Sequence, residues 1–156
     1  MALPLATLCE EMHRYAVVIA LPADMMPSCN TPDRGGLHLA LSADGRKYVL
    51  TYSEKGDPAV LIVSDNADQV LERVFDELTI TLAAERSATT TVSRDHPFAV
   101  PQNPSDEQLH AMAIASQKKL GALQEALLAK LKPQWAEHQA ARDAEQLRHI
   151  DAMFDR

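Results

Sequence analysis

Two groups of side chains have the residue types and the spacing that chemistry at a protein site requires. Cys9 and His13 stand four residues apart in a segment of helical periodicity, which would place a thiol beside a base. Asp68, Glu72 and Asp76 recur at the same interval and would form one carboxylate ridge for a cation or a basic partner. The simpler interpretations are a buried thiol on an amphipathic helix and a solvated helix face. Neither group completes a catalytic set.

The short motifs of common catalytic and cofactor sites are missing from the sequence. The five glycines form neither a P-loop nor a dinucleotide-binding fingerprint, and no Gly-x-Ser-x-Gly nucleophile motif occurs. No two of the six histidines have the spacing of the HExxH motif, which places two zinc ligands on one helix face. We therefore predict a binding protein and not an enzyme, with no cofactor and no metal site.

Charge is unevenly distributed along the 156 residues. The net charge is −7, with 14 acidic and 8 basic residues in 1–96 against 8 acidic and 7 basic residues in 97–156. A nucleic-acid-binding protein needs a positive face for phosphates, and the basic residues form no run longer than pairs such as Lys118-Lys119. We predict no direct contact with nucleic acid, and a basic protein partner is compatible with this charge. The alternative is that the negative charge serves solubility alone.

The cysteine count and the N-terminal segment bear on the compartment. Cys9 and Cys29 have no metal-binding spacing, and two cysteines do not make a disulfide framework, so we predict free thiols in a reducing cytosol. The apolar residues near the N-terminus are interrupted by Glu10, Glu11 and Arg14, unlike those of an export signal. No apolar run approaches the length of a membrane span. These features predict a cytoplasmic protein.

The first half of the chain predicts a helix, a small sheet and a second helix. Residues 4–20 have helical periodicity, although the end of this segment also fits a strand. Residues 37–64 alternate apolar and polar side chains in three runs separated by turn signals, which predicts an antiparallel meander. Good N-cap residues follow at 64–66, and an apolar stripe then continues to about residue 85, so this helix would cover the sheet.

The second half predicts two helices after a connector at 86–104, in which residues 89–92 could add an edge strand. Ser105 and Gln108 fit a capping box at the start of a long helix, whose apolar stripe includes Leu109, Met112, Leu120, Leu123, Leu127 and Leu131. Pro133 disfavours helix at the residue before it and suits the first position of a new helix. Trp135 would wedge at this bend, where it brings a large apolar area.

The resulting fold class is α+β. It combines a small antiparallel sheet of three to four strands, a helix that covers the sheet, and a C-terminal antiparallel helical hairpin. Residues 1–156 are expected to form one domain, in which 1–85 hold the helix, the meander and the covering helix, 86–104 the connector, and 105–154 the hairpin.

Two segments resemble the small immunity proteins of bacterial polymorphic-toxin systems. The first, "LSADGRKYVLTYSEKGDPAVLIVSDNADQVLERVFDELTITLAAE" at 41–85, has two strands around a charged turn, a third strand, an Asp-bearing cap and a helix. The second, "SQKKLGALQEALLAKLKPQWAEHQAARDAEQLRHI" at 116–150, has a helix that ends in Leu-Leu-x-x-Leu-x-Pro-x-Trp. Together the segments cover about half of the chain.

The resemblance implies a protein of interbacterial competition that is encoded beside a secreted toxin. It would act in the cytoplasm as an antitoxin, by stoichiometric occlusion of the toxin's C-terminal domain. From the charge asymmetry we predict five partner contacts, namely Asp44, Glu54, Asp68, Glu72 and Asp76, while Pro133 and Trp135 would have structural roles. An acidic secretion chaperone or adaptor for an effector protein is the alternative, since such proteins share this composition.

Overall fold

The chain divides into two compact units, Met1–Leu78 and Thr79–Arg156. The computed structural model describes residues 4–29, 35–91 and 103–155. The predicted α+β class is confirmed, since a sheet with helices precedes a C-terminal helix pair. Most of the predicted connector at 86–104 lies outside the described residues, and the single domain over 1–156 stays a prediction.

The first unit opens with a helix, α1 (Leu5–Val18). Its buried residues recur every four positions, so one stripe of the helix enters the core: these residues are Leu8, Met12 and Ala16. Val17 and Val18 are exposed, and the strand alternative for the end of this segment is wrong.

A four-stranded sheet follows in the spatial order β1-β2-β3-β4. The three longer strands pair antiparallel, which confirms the predicted meander. Each hairpin closes over a short turn, because residues 42–47 and the Lys55-Gly56 pair supply the turn conformations. The strands are β1 (Ser28–Cys29), β2 (Gly36–Leu41), β3 (Tyr48–Glu54) and β4 (Asp57–Ser64).

The fourth strand differs from its prediction in place and direction. It is β1, which pairs parallel to β2 through Ser28 with His38 and Cys29 with Leu39. A strand of two residues has no periodicity, so sequence patterns cannot reveal it. The edge strand predicted at 89–92 is wrong, because the second helix continues through Thr91. Each threonine costs well under 1 kcal/mol in a helix, too little to end one that is already propagating.

This second helix, α2 (Ala67–Thr91), begins at the predicted cap. The Asn66 side-chain oxygen Oδ1 accepts hydrogen bonds from the backbone N–H groups of Asp68 and Gln69, at 3.0 and 3.2 Å. Within the first unit, the ring of Tyr15 on α1 meets the ring of Phe75 on α2 edge-to-face, with 5.8 Å between the centroids. Buried side chains of α1, α2 and one sheet face form the core of this unit.

Two long helices, α3 (Asp106–Leu131) and α4 (Pro133–Phe154), pack together in the second unit. Only Lys132 separates them, with an extended backbone, and Pro133 occupies the first position of α4 as predicted. Contacts join residues at similar distances before and after this break, such as Gly121 with Asp143 and His110 with Asp151, so the pair is antiparallel. Trp135 is completely buried just after the break, which agrees with its predicted structural role.

The buried face of α3 coincides only in part with the predicted leucine stripe, of which Leu127 is buried and Leu120, Leu123 and Leu131 are half-buried. Leu109 and Met112 are exposed, whereas the buried residues are Gly121, Gln124, Leu127 and Leu128. A glycine and a glutamine replace large apolar residues at positions where α3 approaches its neighbours closely. Close backbone approach favours small residues, and hydrogen bonds compensate buried amides, so hydropathy alone misplaces this face.

A capping box begins α3, as the sequence predicts. The Ser105 hydroxyl accepts a hydrogen bond from the Gln108 backbone N–H at 3.2 Å, and the Gln108 side-chain oxygen accepts one from the Ser105 N–H at 2.9 Å. Two backbone donors at the helix end are thereby satisfied.

Ser105→Ala should lower the free energy of unfolding by about 1 kcal/mol, because the helix loses its side-chain cap. Denaturant unfolding followed by circular dichroism measures this change. The control is Ser116→Ala, an exposed position inside α3, where alanine should be neutral or slightly stabilising. Equal effects of the two substitutions would contradict a role for the cap.

Candidate binding sites

The five predicted partner contacts lie on three separate elements of the first unit. Asp44 is exposed in the β2–β3 turn, and Glu54 is exposed at the end of β3. Asp68 and Glu72 are half-buried on α2, while Asp76 is buried with 7 % of its surface accessible. Because β3 spans seven residues, or about 20 Å, Asp44 and Glu54 stand at opposite ends of the sheet.

Asp76 is therefore not the surface contact that the sequence predicts. Three consecutive residues of α2, from Val74 to Asp76, are buried, and Leu78 and Thr79 are buried directly after them. A helix segment buried over so much of its circumference leaves no solvated face for the third carboxylate. The exposed ridge of three carboxylates is wrong, and only Asp68 and Glu72 remain partly accessible on it.

Asp44 has a local structural role in its turn. The Ser42 hydroxyl donates to Asp44 Oδ1 at 2.6 Å, and the Arg46 backbone N–H donates to the same oxygen at 3.0 Å. The bond from Ser42, followed by that from Arg46, lowers the pKa of this carboxyl below its usual value, since both stabilise the charged form. Asp44 thus stabilises the hairpin turn through Oδ1 while the residue stays exposed.

The sheet also presents an apolar face that the sequence did not single out. Across β3 and β4, Val49 pairs with Val63 and Thr51 with Val60, opposite to the face that carries the buried Leu50. We call these four paired residues the outward sheet face. Val60 is 63 % exposed and Val63 is 49 % exposed. Strand alternation indicates two faces, but only the packing decides which of them is covered.

Two acidic residues stand at the tip of the β3–β4 hairpin, at one end of the sheet. Glu54 and Asp57 are partners across the tip of the β3–β4 hairpin, and both are exposed. Beside this tip, β4 begins with Asp57-Pro58 and is the last strand in the sheet order. A proline at the start of such a strand removes a backbone donor, which opposes pairing with further strands. This end therefore favours side-chain contacts over strand addition.

The two cysteines contact each other, which the sequence did not predict. The pKa of the Cys29 thiol is raised to about 12, mainly by burial and then by a hydrogen bond to Cys9 and by the charge of Cys9. Cys29 is therefore protonated at neutral pH, and a protonated thiol is a poor nucleophile. Cys9, the nucleophile candidate of the sequence, has this second thiol as a neighbour, while His13 is exposed.

The second unit contains a cavity of about 320 Å³, which we call the helical cavity. Its wall combines apolar side chains from α2 and α3 with amide and charged groups from α3 and α4. The polar members are Gln117, Gln124, Gln139, Arg142, Asp143 and Gln146. Apolar pockets with a few convergent polar groups are the usual form of small-ligand sites.

Hydrogen bonds fix the polar wall of the helical cavity. Gln124, which is buried, donates through Nε2 to the Thr79 hydroxyl at 3.1 Å. The side-chain oxygen of Gln139 accepts from Arg142 Nε and Nη2 at 3.1 and 2.7 Å, while its Nε2 donates to Asp143 Oδ1 at 2.9 Å. The Gln139 amide therefore links the Arg142 guanidinium to the Asp143 carboxylate. These hydrogen bonds hold the three side chains in fixed relative positions.

Gly121 of α3 provides the space for the Asp143 carboxylate of α4. A Cβ atom at position 121 would lie 2.8 Å from Asp143 Oδ2 and 3.0 Å from its Cγ. Oδ2 is buried, and it receives no hydrogen bond from the part of the chain that the structure describes. A buried acceptor without a donor is costly, which marks this carboxylate as a candidate site residue.

The negative charge of Asp143 acts on a second carboxylate, that of Glu125. The pKa of Glu125 on α3 is raised above its usual value, mainly by burial and then by the negative charge of Asp143. No sequence pattern indicates this cluster, because Asp143 joins Gly121 and Glu125 only when α3 and α4 pack.

In comparisons with protein families, with curated proteins and with solved structures, nothing matched this chain. Over residues 4–29, 35–91 and 103–155, no group of three or more His, Cys, Asp or Glu side chains is arranged to hold a metal ion. Within the same ranges, every helix is too short or too polar to cross a membrane.

Gly121→Ala should lower the free energy of unfolding by about 1–2 kcal/mol, because the new methyl group overlaps the Asp143 carboxylate. In an Asp143→Ala background the same substitution should instead raise it by about 1 kcal/mol, the usual helix preference of alanine over glycine. Denaturant unfolding of the four proteins in this cycle measures the coupling. Additive effects would show that Gly121 does not accommodate the carboxylate.

The pKa of Glu125 should lie above its ordinary value and should fall in Asp143→Asn, remaining partly raised because burial persists. Since the folded-state pKa exceeds that of the unfolded chain, Glu125 lowers stability as the pH rises through this folded value. An NMR titration of the Glu125 carboxyl carbon measures the pKa. A value that does not respond to Asp143→Asn would contradict the proximity of the two carboxylates.

Proposed function

We propose that this chain is an immunity protein, which binds a cognate secreted bacterial toxin in the cytoplasm and inhibits it by covering its C-terminal domain. The observation that carries the proposal is the outward sheet face, on which Val60 and Val63 are exposed, together with the exposed acidic pair Glu54 and Asp57 at the hairpin tip of the same two strands. The resemblance of residues 41–85 and 116–150 to immunity proteins also supports it.

The outward sheet face has the composition of an interface centre, and acidic residues stand at the hairpin tip of the same strands. Exposed β-branched residues on a hydrogen-bonded sheet form a firm apolar patch, which gains stability when a partner removes it from water. The valines lose little conformational entropy on binding, because their χ1 angles are already restricted. An inhibitor that acts by covering its target needs such a preorganised surface.

The acidic rim determines which partner fits. Residues 1–78 carry 12 acidic and 6 basic residues, so the unit that bears the outward sheet face is negative. A basic toxin surface, such as a cleft that binds nucleic acid or phosphate, would be attracted and oriented by this charge. Glu54 and Asp57, at the hairpin tip of the strands that carry the valines, are proposed as rim contacts, and Asp44, Asp68 and Glu72 as peripheral ones.

Replacing both valines, Val60→Lys with Val63→Lys, should weaken binding of the toxin domain by a factor on the order of 100. Two buried like charges would then face a basic partner in the centre of the interface. Exposed strand positions tolerate lysine, so the fold should persist. Affinity is measured by calorimetry with the purified toxin domain encoded beside this gene, and protection by growth of cells that express that domain.

The matched control is Val17→Lys, which places the same charge on an exposed valine of α1, where 79 % of the residue is accessible. It should bind and protect like the unaltered chain. If the unaltered chain binds the effector's targeting region and leaves cells unprotected from the toxin domain, the protein is a secretion chaperone. If protection survives the double substitution, the outward sheet face is not the interface.

A further inference from the structure

We propose that the helical cavity is a binding site for an organic cation, a guanidinium or ammonium group carried on a short apolar stem. This inference concerns the second unit alone and does not depend on the proposed function. It rests on the volume of the cavity, on the unmatched Asp143 carboxylate, and on the division of the wall into a polar and an apolar part.

The Asp143 carboxylate has acceptor capacity that the protein leaves unused. A carboxylate accepts up to about four hydrogen bonds, whereas Asp143 receives one from the described residues, donated by Gln139 Nε2. Its Oδ2 is shielded from water by Gly121 and has no donor among the described residues. Rotation about the terminal torsion of an aspartate is soft, so a donor inside the cavity can reach an oxygen without movement of α4. A guanidinium or ammonium group supplies several such donors at once.

The electrostatics of the wall also favour a cation, although Arg142 lines the same cavity. Arg142 is an exposed residue, so water screens its charge, and its Nε and Nη2 atoms are directed to Gln139. Asp143 is more deeply placed and is screened less. Glu125, which is not part of the cavity wall, is a second carboxylate within range of the Asp143 charge.

The apolar part of the cavity wall favours an apolar stem on the ligand. Ile80, Ala83, Ala84 and Leu120 line the cavity with apolar surface. About 320 Å³ is the space of roughly ten water molecules at about 30 Å³ each, which admits a four-carbon chain with its charged head. Two sources offer this chemistry: a free small cation, or the side chain of an arginine or lysine in a protein partner.

Butylguanidinium and the neutral N-butylurea test the proposal, because they share a stem and a planar head and differ in charge. In titrations of the full chain followed by NMR, butylguanidinium should perturb the Gly121 amide and the Gln139 side-chain amide. We expect it to bind at least tenfold more tightly than N-butylurea. Equal binding of the two compounds, or perturbation confined to residues outside the cavity wall, would overturn the proposal.

A pair of charge-removing variants assigns the binding to the carboxylate. Asp143→Asn preserves the shape of the side chain and should weaken butylguanidinium binding at least tenfold. Glu145→Gln removes the same charge from an exposed residue of α4 outside the cavity wall and should leave the affinity unchanged. Unchanged affinity in Asp143→Asn would refute the site, and the comparison with N-butylurea on the unaltered chain remains decisive if that variant does not fold.

The peptide acetyl-Gly-Arg-Gly-amide separates the two sources of the cation. If it perturbs the same two amides as butylguanidinium, a basic side chain of a protein enters the cavity. If butylguanidinium binds and the peptide does not, the ligand is a free small cation. Failure of both to bind overturns the inference and leaves the outward sheet face and the proposed inhibition unaffected.

Discussion

The helix break at Lys132-Pro133 is the constraint on which the packing of α3 and α4 in the second unit depends. Proline cannot donate a backbone hydrogen bond and excludes helix at the residue before it, so Lys132 is extended and α4 starts anew. With only one residue between the helices, α4 must return along α3. This return fixes the register of the pair: Gly121 meets Asp143, and farther from the break His110 meets Asp151 at 2.7 Å.

The register between α3 and α4 brings together residues that would have no joint role on separate helices. On isolated helices Gly121 is a weak helix former and Asp143 a solvated charge. Packed together, the glycine supplies the space that the carboxylate fills, and Gln139 aligns that carboxylate with Arg142. The same geometry leaves room for a cavity, since small and polar residues occupy positions where large apolar ones would fill it.

In the first unit the equivalent constraint is the pairing of β2, β3 and β4. Strict alternation places Leu39 and Leu50 on one face and Val49 and Val63 on the other. Buried residues of α1 and α2 complete the core with the first face, while Val60 and Val63 on the second face are exposed. The β4 register shifts by one residue between the partners of Leu50 and Thr51, which keeps Val60 and Val63 on this outward face.

The sequence by itself determined the elements whose signals are local. The hairpin turn at Asp44-Gly45, the Ser105–Gln108 capping box and the break at Pro133 depend on neighbouring residues, and each lies where it was predicted. Only the tertiary structure decided what depends on contacts distant in the chain. It buried Asp76, formed a two-residue strand at Ser28–Cys29 and brought Asp143 against Gly121, because burial and register arise from packing between elements that no local pattern records.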